Sequence, residues 1–295
     1  VTRTRDPVLV TGATGRIGRL VVDRLLDAGV PVRALTRRPA DARLPSAVEI
    51  VAGDFTAPDS IDAGLMGARA VFLVWTLPFA TAPAVVERLA ARTNRVVFLS
   101  SPHQTPHPFF QQPNPAATLH ANLERLIADR GLESTILRPG MFASNVIDWW
   151  SAAIRNGEAV RWPYAAAETA PIDERDVAAV AARALVEEGH AGRDGVLTGP
   201  ESLSHIEQVR IIGSAIGRRI EFEELSADAF RRETAETWPR PAVDMLLDAW
   251  RATMGRPAYV TSTVFEILGS PPRTFAQWAT DHADAFRRGR AQRHN

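Results

Sequence analysis

The 295-residue chain contains no cysteine, so disulfides, thiolate metal sites and thiol redox chemistry are excluded. It also contains no lysine, all 34 of its Lys+Arg residues being arginine. Schiff-base chemistry, a P-loop lysine and the Tyr-x-x-x-Lys pair of ordinary short-chain reductases are therefore excluded as well. Net charge of one sign is missing too: 34 acidic residues balance the 34 basic ones. That argues against a general nucleic-acid binder, whose affinity rests on neutralising phosphates. Long apolar runs are scarce. Residues 70–86 are uncharged, but Pro78 and Pro83 interrupt them, so a buried strand and a loop are expected rather than a membrane span. The charged start (Arg3, Arg5, Asp6) shows no signal-peptide core and points to a cytoplasmic protein. The basic tail from Arg287 to Arg293 reads as a frayed terminus.

What is present begins with Val8-Leu9-Val10-Thr11-Gly12-Ala13-Thr14-Gly15-Arg16-Ile17-Gly18. An apolar, strand-length run breaks into glycines spaced G-x-x-G-x-x-G. An amphipathic helix pattern follows through Ile17, Leu20, Val21, Leu25 and Ala28, and Gly29 closes it. Strand, glycine turn and helix N-terminus form an anion site, because free backbone N–H groups and the helix dipole meet a pyrophosphate there. The expected ligand is a dinucleotide held by Gly12, Thr14, Gly15, Arg16, Ile17 and Gly18.

The second strand, Pro31 to Thr36, decides which dinucleotide. An NAD site places a carboxylate roughly 20 residues after the fingerprint. Here Arg37 and Arg38 follow Thr36, and no acid lies between Asp27 and Asp41. Paired guanidiniums suit a 2′-phosphate, with Arg16 in reach of the same group, so NADPH/NADP is expected over NADH. A solvated turn is the alternative reading of Arg37 and Arg38.

β-branched runs at 48–51, 70–74, 96–100 and 134–137 alternate with helical patterns near 58–66, 83–93 and 115–130. This predicts an α/β fold, a doubly wound parallel sheet of Rossmann type with a smaller, mostly helical C-terminal lobe. Residues 1–140, with 171–190 returning to them, form the NADP-binding domain. Residues 141–170 and 191–295 form the substrate-binding lobe. Helices are expected over 142–156, 176–188 and 203–217, with a short strand at 221–225 and helices from 227 onward.

Thr11 to Gly18, Gly53-Asp54-Phe55, Leu99-Ser100-Ser101, Leu137-Arg138-Pro139-Gly140 and Asp173-Glu174-Arg175-Asp176-Val177-Ala178 together resemble the NmrA-like atypical short-chain dehydrogenase/reductase family. Leu197 to Glu201 and Ile216-Gly217-Arg218 extend the resemblance to about residue 225. The family comprises NADPH-dependent quinone, ketone, ether and dye reductases together with redox-sensing regulators. The resemblance implies Asp54 and Phe55 near the adenine, and Val74, Trp75 and Thr76 along the riboses. It places Ser100 to His103 near the nicotinamide. The usual Tyr-x-x-x-Lys pair falls on Ala116 and His120, so the phenol is missing and a histidine stands for the lysine. A His-x-x-x-Glu pattern seen in bacterial members is matched by His120 and Glu124.

On the helical wheel His120 edges the apolar face of Leu119, Leu123, Leu126 and Ile127. That direction suits a group pointing into a cleft, as cofactor contact and catalyst, and equally a half-buried structural histidine. Ser101 and His120 are the catalytic candidates. His103, Phe109, Phe110, Phe142, Trp149, Trp150 and Trp162 are the substrate-binding candidates, although core packing also accounts for most of the aromatics. Trp149 and Trp150, adjacent on one helix, are not expected to share a core, which sends one of them to a cleft or interface. The spacing of His103, His107 and His120 matches no compact ligand motif, so no metal is expected. The reading is an NADPH-dependent oxidoreductase, a ketoreductase or quinone reductase of secondary metabolism, acting on a planar aromatic small molecule without nucleic-acid or membrane partners. A monomer or homodimer fits. The alternatives are a redox-sensing regulator that binds dinucleotide without turnover and a non-redox isomerase or cyclase.

Overall fold

A computed structural model describes residues 6–103 and 105–287. The charged residues 1–5 and the tail from 288 onward lie outside the described residues. A seven-stranded sheet is built from β1 (Val8–Thr11), β2 (Val32–Thr36), β3 (Glu49–Ala52), β4 (Ala70–Val74), β5 (Arg95–Leu99), β6 (Glu133–Pro139) and, past two further strands, β9 (Asp194–Leu197). All neighbouring pairs are parallel, in the order β3-β2-β1-β4-β5-β6-β9. The chain therefore winds outward from β1 in both directions, and the switch point lies between β1 and β4. In open α/β sheets the crevice beyond the strand C-termini at such a point is where ligands bind.

Strand alternation divides the sheet's side chains between two cores. Val8, Val10 and Phe72 face α1 (Arg16–Asp27) and α6 (Glu174–Val186). Leu9, Val71 and Leu73 face α2 (Asp62–Leu65), α3 (Ala82–Arg92) and α4 (Pro115–Asp129). Both faces of the central strands are covered, which is why these strands read as continuous apolar runs.

A third core belongs to the lobe. It joins α5 (Asn145–Asn156), β7 (Val160–Pro163), α7 (His205–Ile216), β11 (Phe222–Leu225), α8 (Ala227–Glu233), α9 (Arg240–Ala252) and α11 (Phe275–Asp281). Strands β8 (Glu168–Thr169) and β10 (Leu203–Ser204) pair antiparallel beside it, and β7 pairs parallel with β11. α10 (Thr263–Leu268) packs instead on α6. Arg273 then ties the following segment back, its Nε donating to Asp173 and its backbone N–H to Asp176, each at 2.7 Å.

The expected helices form with shifted ends. Residues 58–61 are a 3₁₀ turn ahead of α2, and the 142–156 helix begins only at Asn145. At 203–204 the chain makes a short strand first, and Ser204 then caps α7 with Glu207 in a capping box. Strands β7, β8, β9 and β10 were not expected. They are two to four residues long, too short for a periodic signal. No helix among the described residues is long and apolar enough to cross a membrane.

Candidate functional site

The chain leaves β1 through Gly12, whose φ of +63° a side chain would strain. Gly18, one turn into α1, lies so close beneath the loop that a Cβ there would stand 2.1 Å from the Gly12 carbonyl oxygen. Strand and helix can approach this closely only with glycine at that position. Gly15 caps α1 without a side-chain hydrogen bond, and the first turn carries no acid. Gly15 N–H donates to the Gly12 carbonyl oxygen at 2.9 Å, and the rest of the turn and the positive helix end are left for an anion. Thr11 Oγ1 donates to Phe72 O (3.0 Å) and accepts from Val74 N–H (2.8 Å), locking the ends of β1 and β4 together.

Gly12, Thr14 and Gly15 form one side of a groove of ≈ 320 Å³. Arg37, Asp54 and Phe55 line it further along, and Val74 and Thr76 close it toward the centre. The Asp54 carboxyl accepts from Thr56 N–H at 2.9 Å. That hydrogen bond, with help from the charge of Arg37, holds it below the usual carboxylate range. Phe55 stacks on Trp75 at 5.1 Å between centroids and 15° between planes. The backbone cradle, the free helix end and an arginine at the far end of the groove fit a dinucleotide pyrophosphate and its phosphorylated ribose. Two expected contacts lie elsewhere. Arg16 turns toward α5, bonding Ser144 Oγ and pairing with Asp148 at 3.5 Å, away from the Arg37 end. Arg38 is exposed and is not part of the groove lining. Ile17 and Gly18 are buried and support the loop from below.

Val74 and Thr76 also border a second cavity of ≈ 320 Å³. Its floor is Ser100, Ser101 and His120, reached from β5 and α4. Asn114 fixes the start of α4, its side-chain Oδ1 accepting from Ala116 N–H (3.0 Å) and Ala117 N–H (3.1 Å), while Pro115 takes the first helical position. Phe109 and Phe110, held on a 3₁₀ turn, form one wall, Met141 and Phe142 another, and Met245, Leu246 and Ala249 of α9 a third.

His120 Nδ1 lies 2.9 Å from Ser101 Oγ and Nε2 lies 3.3 Å from the Trp75 carbonyl oxygen. A carbonyl only accepts, so Nε2 carries the proton, and Nδ1 of the neutral ring accepts from the Ser101 hydroxyl. The ring sits edge-on to Phe98 (5.5 Å, 83°). Burial pushes the imidazole below its ordinary value, opposed by the hydrogen bond to Trp75 and the charge of Glu124.

Of the sequence candidates, Ser100, Ser101, His120, Phe109, Phe110, Phe142, Val74, Trp75 and Thr76 come together at this cleft. His103 does not line it; its Nε2 binds Glu124 at 2.9 Å. Trp150 and Trp162 are 1% and 4% exposed in the lobe core. Trp149 stacks on Trp162 at 5.2 Å. None of the three is among the residues lining the cleft. Contrary to expectation, Trp149 and Trp150 share the lobe core, because Trp238 and Trp250 wrap the aromatic cluster around α5. Met245, Leu246 and Ala249 went unseen because an amphipathic helix does not reveal which of its apolar residues meets a cavity. Glu124 stood in a motif, but its burial and its three partners were not foreseen.

A family model described as NAD(P)H-binding matches residues 12–188, and the chain belongs to that family. The fold, the nucleotide groove and the relatives together define an NAD(P)H-dependent oxidoreductase, which agrees with the resemblance to the NmrA-like atypical short-chain dehydrogenase/reductases. Among curated relatives, the (4-alkanoyl-5-oxo-2,5-dihydrofuran-3-yl)methyl phosphate reductase of Streptomyces griseus is 38% identical, covering 95% of this chain and 99% of the relative. The NAD(P)H azoreductase of Xenophilus azovorans is 31% identical, over 95% and 99%. Among solved structures, the Escherichia coli NADPH-dependent quinone oxidoreductase superposes with a TM-score of 0.78 at 22% identity, covering 93% of this chain and 98% of the other. The Citrobacter triphenylmethane reductase superposes with a TM-score of 0.80 at 20% identity, covering 94% and 99%.

Proposed function

We propose that the protein uses NADPH to reduce an uncharged, planar aromatic carbonyl compound, a polycyclic ketone or a quinone. The observation that carries this reading is the Ser101–His120 pair at the floor of a cleft whose lining, among the described residues, contains no arginine, aspartate or glutamate. Phe109, Phe110, Phe142 and Met245 suit a flat apolar molecule. A phosphate ester such as the S. griseus relative's name describes would find no arginine there among the described residues. Arg37 at the end of β2, with no acid beside it on that strand, favours the 2′-phosphorylated cofactor.

When bound, the nicotinamide supplies a hydride to the carbonyl carbon. The chain's part is to hold the substrate against the cofactor and to satisfy the oxygen as it gains charge. Ser101 presents its hydroxyl to that oxygen. In the imidazolium form, His120 donates from Nε2 to Trp75 and from Nδ1 to Ser101, so a proton passes from Ser101 to the product while His120 replaces it. Hydride plus proton convert C=O to CH–OH, leaving His120 neutral. Apolar walls exclude water from the reacting carbon.

Burial depresses the His120 pKa, so the imidazolium is the minor form at neutral pH. For ketones, kcat rises as pH falls through a midpoint below the ordinary histidine value. A quinone whose product is stable as a phenolate needs no such proton, and its profile is flat over the same range. The test is NADPH oxidation at several pH values against quinones and hydroxylated polycyclic ketones, with NADH alongside and products identified. Substrate-dependent oxidation with the two profiles diverging supports the reading. Tight NADPH binding with no oxidation by any member of the panel sinks it.

A further inference from the structure

We propose that Glu124 is a positioning residue for the Ser101–His120 pair, binding the catalytic loop to α4 and holding the field around His120. This rests on the function proposed above. Glu124 follows His120 by one helical turn, so both project from one face of α4. The carboxylate is only 9% exposed. It accepts from Ser100 Oγ, from His103 Nε2 at 2.9 Å, and from Arg138 Nε at 3.0 Å and Nη2 at 2.5 Å. Arg138 on β6 also reaches Asp194 on β9 at 2.8 Å.

Three elements are thereby joined at one carboxylate. Ser100 and His103 flank Ser101 on either side, so anchoring both fixes the loop that presents the Ser101 hydroxyl to His120. The backbone helps, because Ser100 N–H donates to Leu137 O at 2.7 Å. A buried carboxylate is costly unless paired and hydrogen-bonded, and a methylene chain would fill the same space without that cost. Here the charge has a use. Glu124 on α4 draws protons toward His120, while His103 in the loop after β5 opposes it. Arg138 on β6 is occupied by Glu124 and Asp194, the Trp75 group facing the ring is a neutral carbonyl, and the α9 wall is uncharged.

The experiment is an NMR titration of the His120 imidazole in wild type, Glu124→Gln and Glu124→Asp, paired with pH–rate profiles. Glu124→Gln keeps the shape and removes the charge. Its His120 midpoint moves to lower pH, and kcat for ketones falls by about tenfold to a hundredfold, with the KM for NADPH unchanged. Glu124→Asp returns the midpoint toward wild type. Coincident His120 titrations in wild type and Glu124→Gln overturn the proposal, leaving Glu124 a structural ion pair. If Glu124→Gln does not fold, Ser100→Ala decides, because it removes one of the loop's anchors on Glu124: the Ser101–His120 contact loosens and the His120 titration shifts, and an unmoved titration refutes the assignment. The titration needs no turnover, so it stands even if no aromatic carbonyl is reduced; that outcome would refute the proposed function alone.

Discussion

Val74 and Thr76 border two cavities of equal volume, and the two are built from different material. The phosphate end of the nucleotide groove is built from backbone: the Gly12–Gly15 loop, the uncapped start of α1 and the strand ends of the switch point. The cleft beside it is side chain, assembled from β5, α4, the 108–111 turn, the segment after β6 and α9. A backbone site has one way to be made and tolerates almost no substitution. A side-chain site tolerates exchange of its walls, so relatives with similar grooves can take different substrates. Mutations in one half should therefore leave the other half's ligand unaffected, and that separation is open to test.

The largest effect is expected at Gly18. A valine there puts Cβ 2.1 Å from the Gly12 oxygen, and neither backbone segment can yield without opening the cradle. Affinity for NADPH should fall by about two orders of magnitude or more, measured by calorimetry on protein that is still folded by circular dichroism. Retained affinity would mean that the cradle does not determine binding.

The same contrast governs what the sequence discloses. The phosphate cradle is contiguous in the chain, so Gly12, Gly15 and Gly18 are read from the eleven residues Val8 to Gly18, while Arg37, Asp54, Phe55 and Val74 reach the groove from three later strand ends. Strands such as β4, buried on both faces, are equally plain. The cleft depends on tertiary placement. Phe109 and Phe110 reach it, while the equally aromatic Trp150 and Trp162 are enclosed by the lobe, and composition alone does not separate the two outcomes. Edge strand β9 is four residues with only its last fully buried, which gives no alternation to detect. Although β9 and α10 follow residue 190, both pack on the sheet side of the molecule. Glu124 was visible as a motif member, but burial of a helical carboxylate is decided by Arg138 and His103, 14 and 21 residues away.

In the lobe, Trp250 is fully buried against His205 (5.0 Å), Trp162 (5.5 Å) and Trp149 (5.9 Å). It also fixes the rotation of α9, whose neighbouring Met245, Leu246 and Ala249 form a cleft wall. Trp250→Ala should cost about 3–5 kcal/mol of stability and raise the KM for the carbonyl substrate. The NADPH dissociation constant should not move, because Trp250 is not among the residues lining the groove. Parallel weakening of cofactor and substrate binding in this variant would show that the two cavities are not independent.

The smallest and most specific effect is expected at Arg37. It is exposed, so its contact with a phosphate is partly screened, and hydrogen bonds to charged groups contribute about 1.5–3 kcal/mol at most. Arg37→Ala should weaken NADPH binding by about tenfold, the lower end of that range, and leave NADH binding as it was. The NADPH deficit should shrink as salt rises, since wild-type affinity loses the same screened attraction. Arg38→Ala should do less, because Arg38 stands outside the groove lining. Turnover with saturating NADPH should be unchanged in both variants, as neither residue touches the cleft. An equal loss for NADH and NADPH in Arg37→Ala would place the arginine on a feature common to both dinucleotides, and the absence of an acid on β2 would no longer explain cofactor choice.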